Sequence, residues 1–394
     1  MKFSTRAIHS SPPTKPLNDI VPPIHVSSSF EFADLEDAQR AFSGEPVGYV
    51  YGRVHNPTQS ALEWKLRELE GGEEAVVTSS GIAALSSFFQ SHLKAGDEII
   101  AHHCLYGNNY RFLNEWPLSI GAKVFFVDLT DFDQLKRYLS NRTRFVFIES
   151  PTNPFLQVMD ILAISTIAKE VNAYCVVDST LASPALMRPL QLGADAVIHS
   201  LTKYIGGHGD MLGGAVIGSR QLIKPVRSVG LRYMTGATLS PFNAFLAIRG
   251  IKTLGLRMRQ HSEAANKLSQ ALLNHTAVEN VYYPTAHPDL EQRRLVERYM
   301  PSGCGGVLSF TLRCTLAEVK LFVDSLTLVK LAVSLGTCET LIEHPYSMTH
   351  SAYLDHKLLT IPDNLLRISM GLEDENDIIE DVVSGLDRLK GYSS

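Results

Sequence analysis

Seven short apolar runs, separated by helix-like segments, occupy the chain between about residues 74 and 218. Consecutive rather than alternating apolar residues are typical of strands that helices cover on both faces. This pattern predicts an α/β domain built on a mostly parallel sheet of about seven strands. The runs are Ala75–Val77, Glu98–Ile100, Val124–Val127, Phe145–Ile148, Cys175–Val177, Ala196–Ile198 and Ala215–Ile217.

Helix-like and strand-like segments mix in the last third of the chain. Apolar residues at helical spacing predict one long helix over Arg249–Asn274, and Asp374 can cap a closing helix. The mixture predicts a smaller α/β domain over residues 255–394, which follows a large domain over residues 56–254. The other expected elements are helices at Ile82–Leu93, Ile161–Val171 and Ala317–Leu328, and strands at Leu331–Ser334 and Leu366–Ser369.

The first 55 residues are rich in proline. Proline lacks a backbone N–H group and restricts its neighbours, so repeated prolines disfavour helices and central strands. We therefore expect residues 1–55 to form an extended N-terminal arm that reaches across another surface. Five of the prolines lie within the first 23 residues: Pro12, Pro13, Pro16, Pro22 and Pro23.

Composition narrows the class of protein. With 394 residues and 45% hydrophobic content, the chain can bury a large core. A net charge of −5 gives no reason to expect binding to nucleic acid or to an anionic membrane. The residues around Met1–His9 contain neither the apolar core of a signal peptide nor a spanning segment, and the five cysteines form no CxxC motif. These features favour a cytoplasmic protein.

Two common cofactor motifs are missing. Leu212 stands where a GxGxxG fingerprint needs its third glycine, and this stretch follows a lysine rather than a strand. The 14 histidines include no HExxH motif. Neither His102–His103 nor the pair His344 and His350 has a thiolate or carboxylate constellation in the sequence, so we expect no catalytic metal.

Lys203 is the residue that most strongly indicates chemistry. Hydroxyl groups and glycines surround it in sequence, which suits formation of an imine with an aldehyde better than a surface salt bridge. Asp178 ends an apolar run and can hold a protonated pyridine nitrogen. Pyridoxal phosphate (PLP) chemistry needs both groups. The alternatives are a solvated loop lysine and a strand-end helix cap.

A phosphate site is indicated where an expected strand passes into an expected helix. Small residues and a helix N-terminus let backbone N–H groups approach an anion. Hydroxyl groups on either side of the Lys203 turn can add donors, although serine and glycine also form ordinary caps and turns. The residues are Ser80, Gly81, Ile82, Ser200 and Thr202.

Four further side chains are candidates for binding. Tyr51 and Arg53 lie on one side of an extended segment and can clamp a phosphate, or else pair with surface acids. Tyr106 follows a strand, where it can stack on a pyridine ring or simply pack. Arg367 lies within an apolar run, so it needs an anionic partner, either the carboxylate of an amino acid or a structural carboxylate.

Taken together, these residues resemble the PLP-dependent Cys/Met-metabolism family, which includes methionine γ-lyase, cystathionine γ-lyase, cystathionine β-lyase and cystathionine γ-synthase. The resemblance extends over nearly the whole chain. The segments that carry it are Tyr51–Arg53 with Asn56–Thr58, Ser80–Gly81, Tyr106–Gly107, Glu149–Pro154, Asp178–Thr180, Ser200–Tyr204, and Ser334–Gly336 with Pro345–His350.

The resemblance implies a type I PLP fold, with a homotetramer arranged as a dimer of dimers and active sites shared between subunits. It implies catalytic roles for Lys203 as Schiff-base lysine, Asp178 as partner of the pyridine nitrogen, and Tyr106 as ring-stacking acid. The other implied assignments are Ser80, Gly81, Ile82, Ser200 and Thr202 for the phosphate, Tyr51 and Arg53 for the phosphate of the partner subunit, and Asn153, Ser334 and Arg367 for the substrate.

Within the family, the chain is most similar to methionine γ-lyase, which implies γ-elimination from a sulfur-containing L-amino acid. Val333 suits an uncharged thioether, whereas members that handle cystathionine commonly carry glutamate there. Asn108, Arg232 and Tyr233 depart from the methionine enzymes, and Asn108 and Tyr233 are expected to tune the choice of substrate. The alternatives are lysis or synthesis of cystathionine, and a binding protein that keeps the fold without the cofactor.

Overall fold

The computed structural model describes residues 1–12, 19–43, 45, 48–350 and 359–389. All seven apolar runs form strands of one sheet, which confirms the predicted α/β architecture. Its order is β1-β7-β6-β5-β4-β2-β3, and β7 runs antiparallel to both neighbours while the other pairs are parallel. The strands are β1 (Glu74–Thr78), β2 (Glu98–His102), β3 (Lys123–Val127), β4 (Thr143–Glu149), β5 (Tyr174–Asp178), β6 (Ala196–Ser200) and β7 (Gly214–Gly218).

A second, smaller sheet follows in the last third of the chain, as expected. It has the order β10-β11-β12-β9-β8. On this sheet, Glu343 lies directly opposite Arg367 in the antiparallel pairing of two neighbouring strands. The strands are β8 (Val278–Tyr282), β9 (Val307–Leu312), β10 (Lys330–Leu331), β11 (Leu341–Glu343) and β12 (Leu365–Ser369).

Helices cover both faces of the large sheet, and the side chains of each strand alternate between two apolar cores. Phe145 and Phe147 pack into one core with α4, whereas Val146 and Ile148 pack into the other with α3 and α7. No α-helix among the described residues is both long and apolar enough to cross a membrane. The helices are α1 (Phe3–His9), α2 (Leu35–Ser43), α3 (Pro57–Glu70), α4 (Gly81–His92), α5 (Gly107–Ser119), α6 (Phe132–Tyr138), α7 (Ile161–Lys169), α8 (Ser183–Leu186), α9 (Arg220–Pro225), α10 (Pro241–Ile251), α11 (Leu254–Leu273), α12 (Leu290–Tyr299), α13 (Leu316–Ser325) and α14 (Glu375–Leu389), with a π-helix at Val226–Thr235 and 3₁₀ turns at Pro189–Leu192 and Pro284–Ala286.

The N-terminal segment has more regular structure than its prolines indicate, because α1 and α2 lie in stretches free of proline. Lys65 fixes α1 to α3 by donating from Nζ to the carbonyl oxygen of Ala7 at 2.8 Å. Pro13 and Pro16 lie outside the described residues. The expectation of a wholly extended arm is therefore wrong at these two helices, while the domain boundaries remain a prediction.

Two expected elements are shorter than the sequence pattern indicates. The long helix over Arg249–Asn274 is broken at Lys252 and Thr253 into α10 and α11, because Arg257 bonds the Gly250 carbonyl oxygen and the Thr253 hydroxyl group across the break. The apolar spacing continues through the break and conceals it. The strand expected to reach Ser334 ends at Leu331, since the backbone turns at Ser334 with φ 95°.

Candidate active site

Lys203 lies in the turn that follows β6, in the interior rather than on an exposed loop. Its Nζ donates to the hydroxyl group of Ser334 at 2.7 Å. Burial lowers the pKa of Lys203 to about 8, and Arg367 adds to the lowering while Glu343 opposes it. A larger share of this amine is therefore uncharged, and hence nucleophilic, near neutral pH than for a solvated lysine.

Arg257 stabilises the turn that contains Lys203 through its backbone. Its guanidinium donates to the carbonyl oxygen of Tyr204 at 2.7 Å and fills the space beside Gly207. A Cβ atom on Gly207 would lie 2.0 Å from Arg257 Nη1, and the φ of +74° at Gly207 also favours glycine. Gly207 thus permits the close approach of this buried arginine.

Asp178 ends β5 and is 8% exposed. Its Oδ1 accepts the backbone N–H and the hydroxyl group of Thr180, and its Oδ2 accepts from Asn109 Nδ2 at 3.0 Å. Three donors thus fix the orientation of a buried carboxylate at the carboxyl end of the sheet, where α/β proteins bind ligands. Sequence reasoning singled out Asn108 and missed Asn109, since the contact depends on how α5 begins.

The predicted phosphate residues meet where α4 begins. Ser80 caps the helix with its hydroxyl oxygen, which accepts from the N–H of Ala83, and the first-turn N–H groups at Gly81 and Ile82 have no intrahelical acceptor. A Cβ atom on Gly81 would lie 2.8 Å from that of Ser200, so the helix start approaches the end of β6 closely. The hydroxyl group of Thr202 bonds the backbone of Gly213, and its role towards a phosphate remains a prediction.

Tyr106 is fixed at both ends, just before α5. Its backbone N–H donates to Glu149 Oε2 at 2.8 Å, and its hydroxyl oxygen accepts from Asn108 Nδ2 at 3.0 Å. Burial raises the pKa of the Tyr106 hydroxyl group, so it keeps its proton and can act as a donor. Burial and the adjacent Asp178 raise the pKa of Glu149 well above its ordinary value. The sequence analysis assigned no role to Glu149.

Arg367 is almost fully buried and has a structural carboxylate beside it, which was one of the two alternatives. Its Nη1 lies 2.9 Å from Glu343 Oε1 and 3.1 Å from Asn153 Oδ1, and its Nη2 donates to the carbonyl oxygen of Ser334 at 2.8 Å. Asn153, Ser334 and Arg367 are therefore brought together as expected. Sequence reasoning missed Glu343, because only the register of β11 and β12 places it opposite Arg367.

The other predicted residues lie towards the exterior. Tyr51 is 44% exposed, and Arg53 bonds the carbonyl oxygen of Arg232 at the π-helix rather than the Lys203 turn. Tyr233 on the π-helix is also exposed. Within this chain, the structure does not bring Tyr51 and Arg53 into contact with the cofactor residues.

A cavity of about 660 Å³ opens beside Ser334 and Thr202. Val333 lies on its wall and is 53% exposed. Charged side chains line the same cavity, so its wall is more polar than Val333 alone indicates. These side chains are Asp210, Lys330 and Glu339.

The histidine pair at the end of β2 has a neighbour that the sequence analysis did not find. Asp128 follows the adjacent strand β3, and its carboxylate and the rings of His102 and His103 have donor atoms within 4.8 Å of one another. The expectation that His102 and His103 lack a carboxylate neighbour is therefore wrong. His102 Nδ1 accepts the N–H of Leu129 at 3.1 Å, so the neutral ring carries its proton on Nε2. To bind a metal ion, this ring would first have to give up that hydrogen bond.

The clustered residues fit PLP. Lys203 supplies an amine with a lowered pKa, and Asp178 supplies a fixed carboxylate acceptor. The start of α4, packed against Ser200, offers open N–H groups to a phosphate. A pyridine aldehyde that carries a phosphate needs these three functions.

Comparisons with known proteins agree with this site. Residues 4–387 match the family model described as Cys/Met metabolism PLP-dependent enzyme. The chain is 42% identical to an L-methionine gamma-lyase of Treponema denticola (98% and 97% of the two chains covered) and 37% identical to a cystathionine beta-lyase of Coxiella burnetii (98% and 97%). A cystathionine gamma synthase from Xanthomonas oryzae superposes with a TM-score of 0.91 at 36% identity, covering 99% of both chains, which confirms the type I fold. The chain therefore belongs to the Cys/Met-metabolism family of PLP-dependent enzymes, and pyridoxal 5'-phosphate is its cofactor.

Proposed function

We propose that this enzyme is a carbon–sulfur lyase that acts on a sulfur-containing L-amino acid by γ-elimination, consuming water and releasing a thiol, ammonia and a 2-oxo acid. One observation carries the proposal: Ser334 bonds Lys203 through its hydroxyl group and Arg367 through its carbonyl oxygen. An amino acid held by its carboxylate at Arg367 would present its α-carbon to the lysine. Ser334 thus contacts both Lys203, the proposed base, and Arg367, the proposed binding residue for the carboxylate.

Each residue has a role in this reaction. Bound PLP supplies an electron sink for the negative charge that develops at the α-carbon. Lys203 accepts the α-proton and passes it between the α- and β-carbons, which its lowered pKa favours. Asp178 keeps the pyridine nitrogen protonated. Tyr106 retains its proton because its pKa is raised, so it can protonate the departing sulfur.

The choice of a methionine-like substrate rests on Val333 and on the relatives. Val333 offers no counter-charge to a distal ammonium group of the substrate, whereas its apolar side chain can pack against a thioether. The relative from Treponema denticola is described as an L-methionine gamma-lyase. A neutral thioether should therefore be the better substrate.

Cystathionine is the second candidate, because charged residues also line the cavity beside Ser334. Asp210 and Glu339 could meet its distal ammonium group, and Lys330 its distal carboxylate. The relative from Coxiella burnetii is described as a cystathionine beta-lyase. Methionine would thus favour an apolar wall in this cavity, whereas cystathionine would favour a charged one.

A substrate panel separates the two candidates. We expect methionine or homocysteine to yield 2-oxobutyrate faster than cystathionine does, and Val333→Glu to narrow or reverse that order. The measurement is release of both 2-oxo acid and thiol. Leu331→Glu is the matched control, since Leu331 is similarly exposed (57%) but does not line the cavity. A clear preference of the wild-type enzyme for cystathionine would replace this proposal with the second candidate.

We further propose that the enzyme is a homotetramer whose active sites are completed by Tyr51 and Arg53 of a neighbouring subunit. The exposure of Tyr51 and the outward position of Arg53 support this assignment. Arg53→Ala and Lys203→Ala should each be inactive alone, but mixed subunits should regain part of the activity because a hybrid pair contains one intact site. Inactive mixtures that demonstrably contain hybrids would indicate sites complete within one chain.

A further inference from the structure

Glu343 is a buried carboxylate at the substrate-binding end of the site that the reaction itself does not use. It is fully buried, its Oε1 lies 2.9 Å from Arg367 Nη1, and it also accepts from the Thr349 hydroxyl group at 2.8 Å. The antiparallel pairing of β11 and β12 places the two charged residues opposite each other. Glu343 is therefore held beside the guanidinium by the sheet and is not a flexible neighbour.

The contacts of Arg367 leave it only partly satisfied. Its Nη groups bond Glu343, Asn153 and Ser334, while its Nε has no hydrogen-bond partner among the described residues. The second carboxylate oxygen of Glu343 is likewise unpaired there. The guanidinium group thus has a buried N–H donor without a partner, although its positive charge already has a counter-ion.

We propose that Glu343 is a positioning residue that keeps the affinity of Arg367 for carboxylates low. It orients the guanidinium, and its negative charge opposes an incoming α-carboxylate. Because the pair has no net charge, recognition depends on hydrogen-bond geometry rather than on attraction of any anion. The enzyme thereby rejects simple anions and binds its amino-acid substrate without holding it tightly. This inference rests on the proposed role of Arg367 in the lyase reaction.

Butyrate tests the inference, because it carries the carboxylate of the substrate without the amino group. Its dissociation constant would be measured by calorimetric titration of the PLP-loaded enzyme. We expect Glu343→Gln to tighten butyrate binding by about tenfold or more, since a like charge within about 4–6 Å commonly has an effect of that size. Chloride should compete with butyrate in this variant and hardly at all in the wild type.

Two further variants show whether the effect is electrostatic. Thr349→Val removes a donor to Glu343 but keeps the charge, so butyrate affinity should stay near that of the wild type. Adding Arg367→Gln to Glu343→Gln should abolish the gain. Unchanged or weaker butyrate binding in folded Glu343→Gln would overturn the inference. If that variant does not fold, strong chloride competition in the wild type would overturn it instead.

Butyrate titration tests the role of Glu343, whereas turnover of sulfur amino acids tests the proposed lyase function, so the two proposals can fail independently. Butyrate binding needs no reaction, so the expected gain together with no turnover of sulfur amino acids would reject the proposed function and leave the inference standing. Normal γ-elimination with unchanged butyrate affinity in Glu343→Gln would do the reverse.

Discussion

Lys203→Ala should abolish both turnover and the covalent attachment of PLP without unfolding the protein. The side chain projects from a turn that Arg257 and neighbouring backbone groups hold, so its removal leaves the turn intact. Loss of the base alone is worth about 10²–10⁴-fold, and the variant also loses the amine that binds the cofactor. The measurements are the absorbance of the bound cofactor, borohydride trapping on the protein, and circular dichroism.

PLP attachment to the wild-type enzyme is the reference for Lys203→Ala. Only an uncharged amine attacks an aldehyde, so the rate of PLP attachment should rise with pH through the pKa of Lys203 near 8 rather than near 10.5. Lys320→Ala, on the exposed surface of α13, should behave like the wild type. A borohydride-trappable adduct in Lys203→Ala would move the attachment site to another lysine.

Asp178→Asn should retain PLP yet lose about 10²–10⁴-fold in turnover, which is the usual range for positioned acid–base and electrostatic groups. The amide keeps the shape of the carboxylate, but it cannot hold a proton on the pyridine nitrogen. It also places an amide where Asn109 and Thr180 now donate to carboxylate oxygens. Steady-state kinetics together with PLP content would separate the loss of chemistry from the loss of cofactor.

Asp195→Asn is the control for this substitution. Asp195 accepts the N–H of Cys175 at the opposite, amino-terminal end of β5, so its substitution tests the strand without touching the site. It should alter stability more than turnover. Near-normal activity in Asp178→Asn would assign the pyridine nitrogen to another acceptor.

The large sheet was predictable from the sequence because its strands are buried on both faces and appear as continuous apolar runs. Lys203 was predictable from the hydroxyl groups and glycines around it in sequence, and Asp178 because it ends such a run at the carboxyl edge of the sheet. The break between α10 and α11 was not predictable, since the apolar spacing continues through it. The contacts of Glu343 and Asn109 were not predictable either, because they depend on strand register and on where a helix begins.

The short distance between Gly207 and Arg257 makes these two positions an epistatic pair. Any side chain at position 207 would occupy the volume of the guanidinium in addition to straining a backbone with φ +74°, so a larger residue there costs less once Arg257 has been replaced. Replacing Arg257 first withdraws the donor to the carbonyl oxygen of Tyr204, the residue next to Lys203. Substitutions at the two positions should therefore be strongly non-additive. Libraries that vary the surroundings of Lys203 should encode both positions jointly.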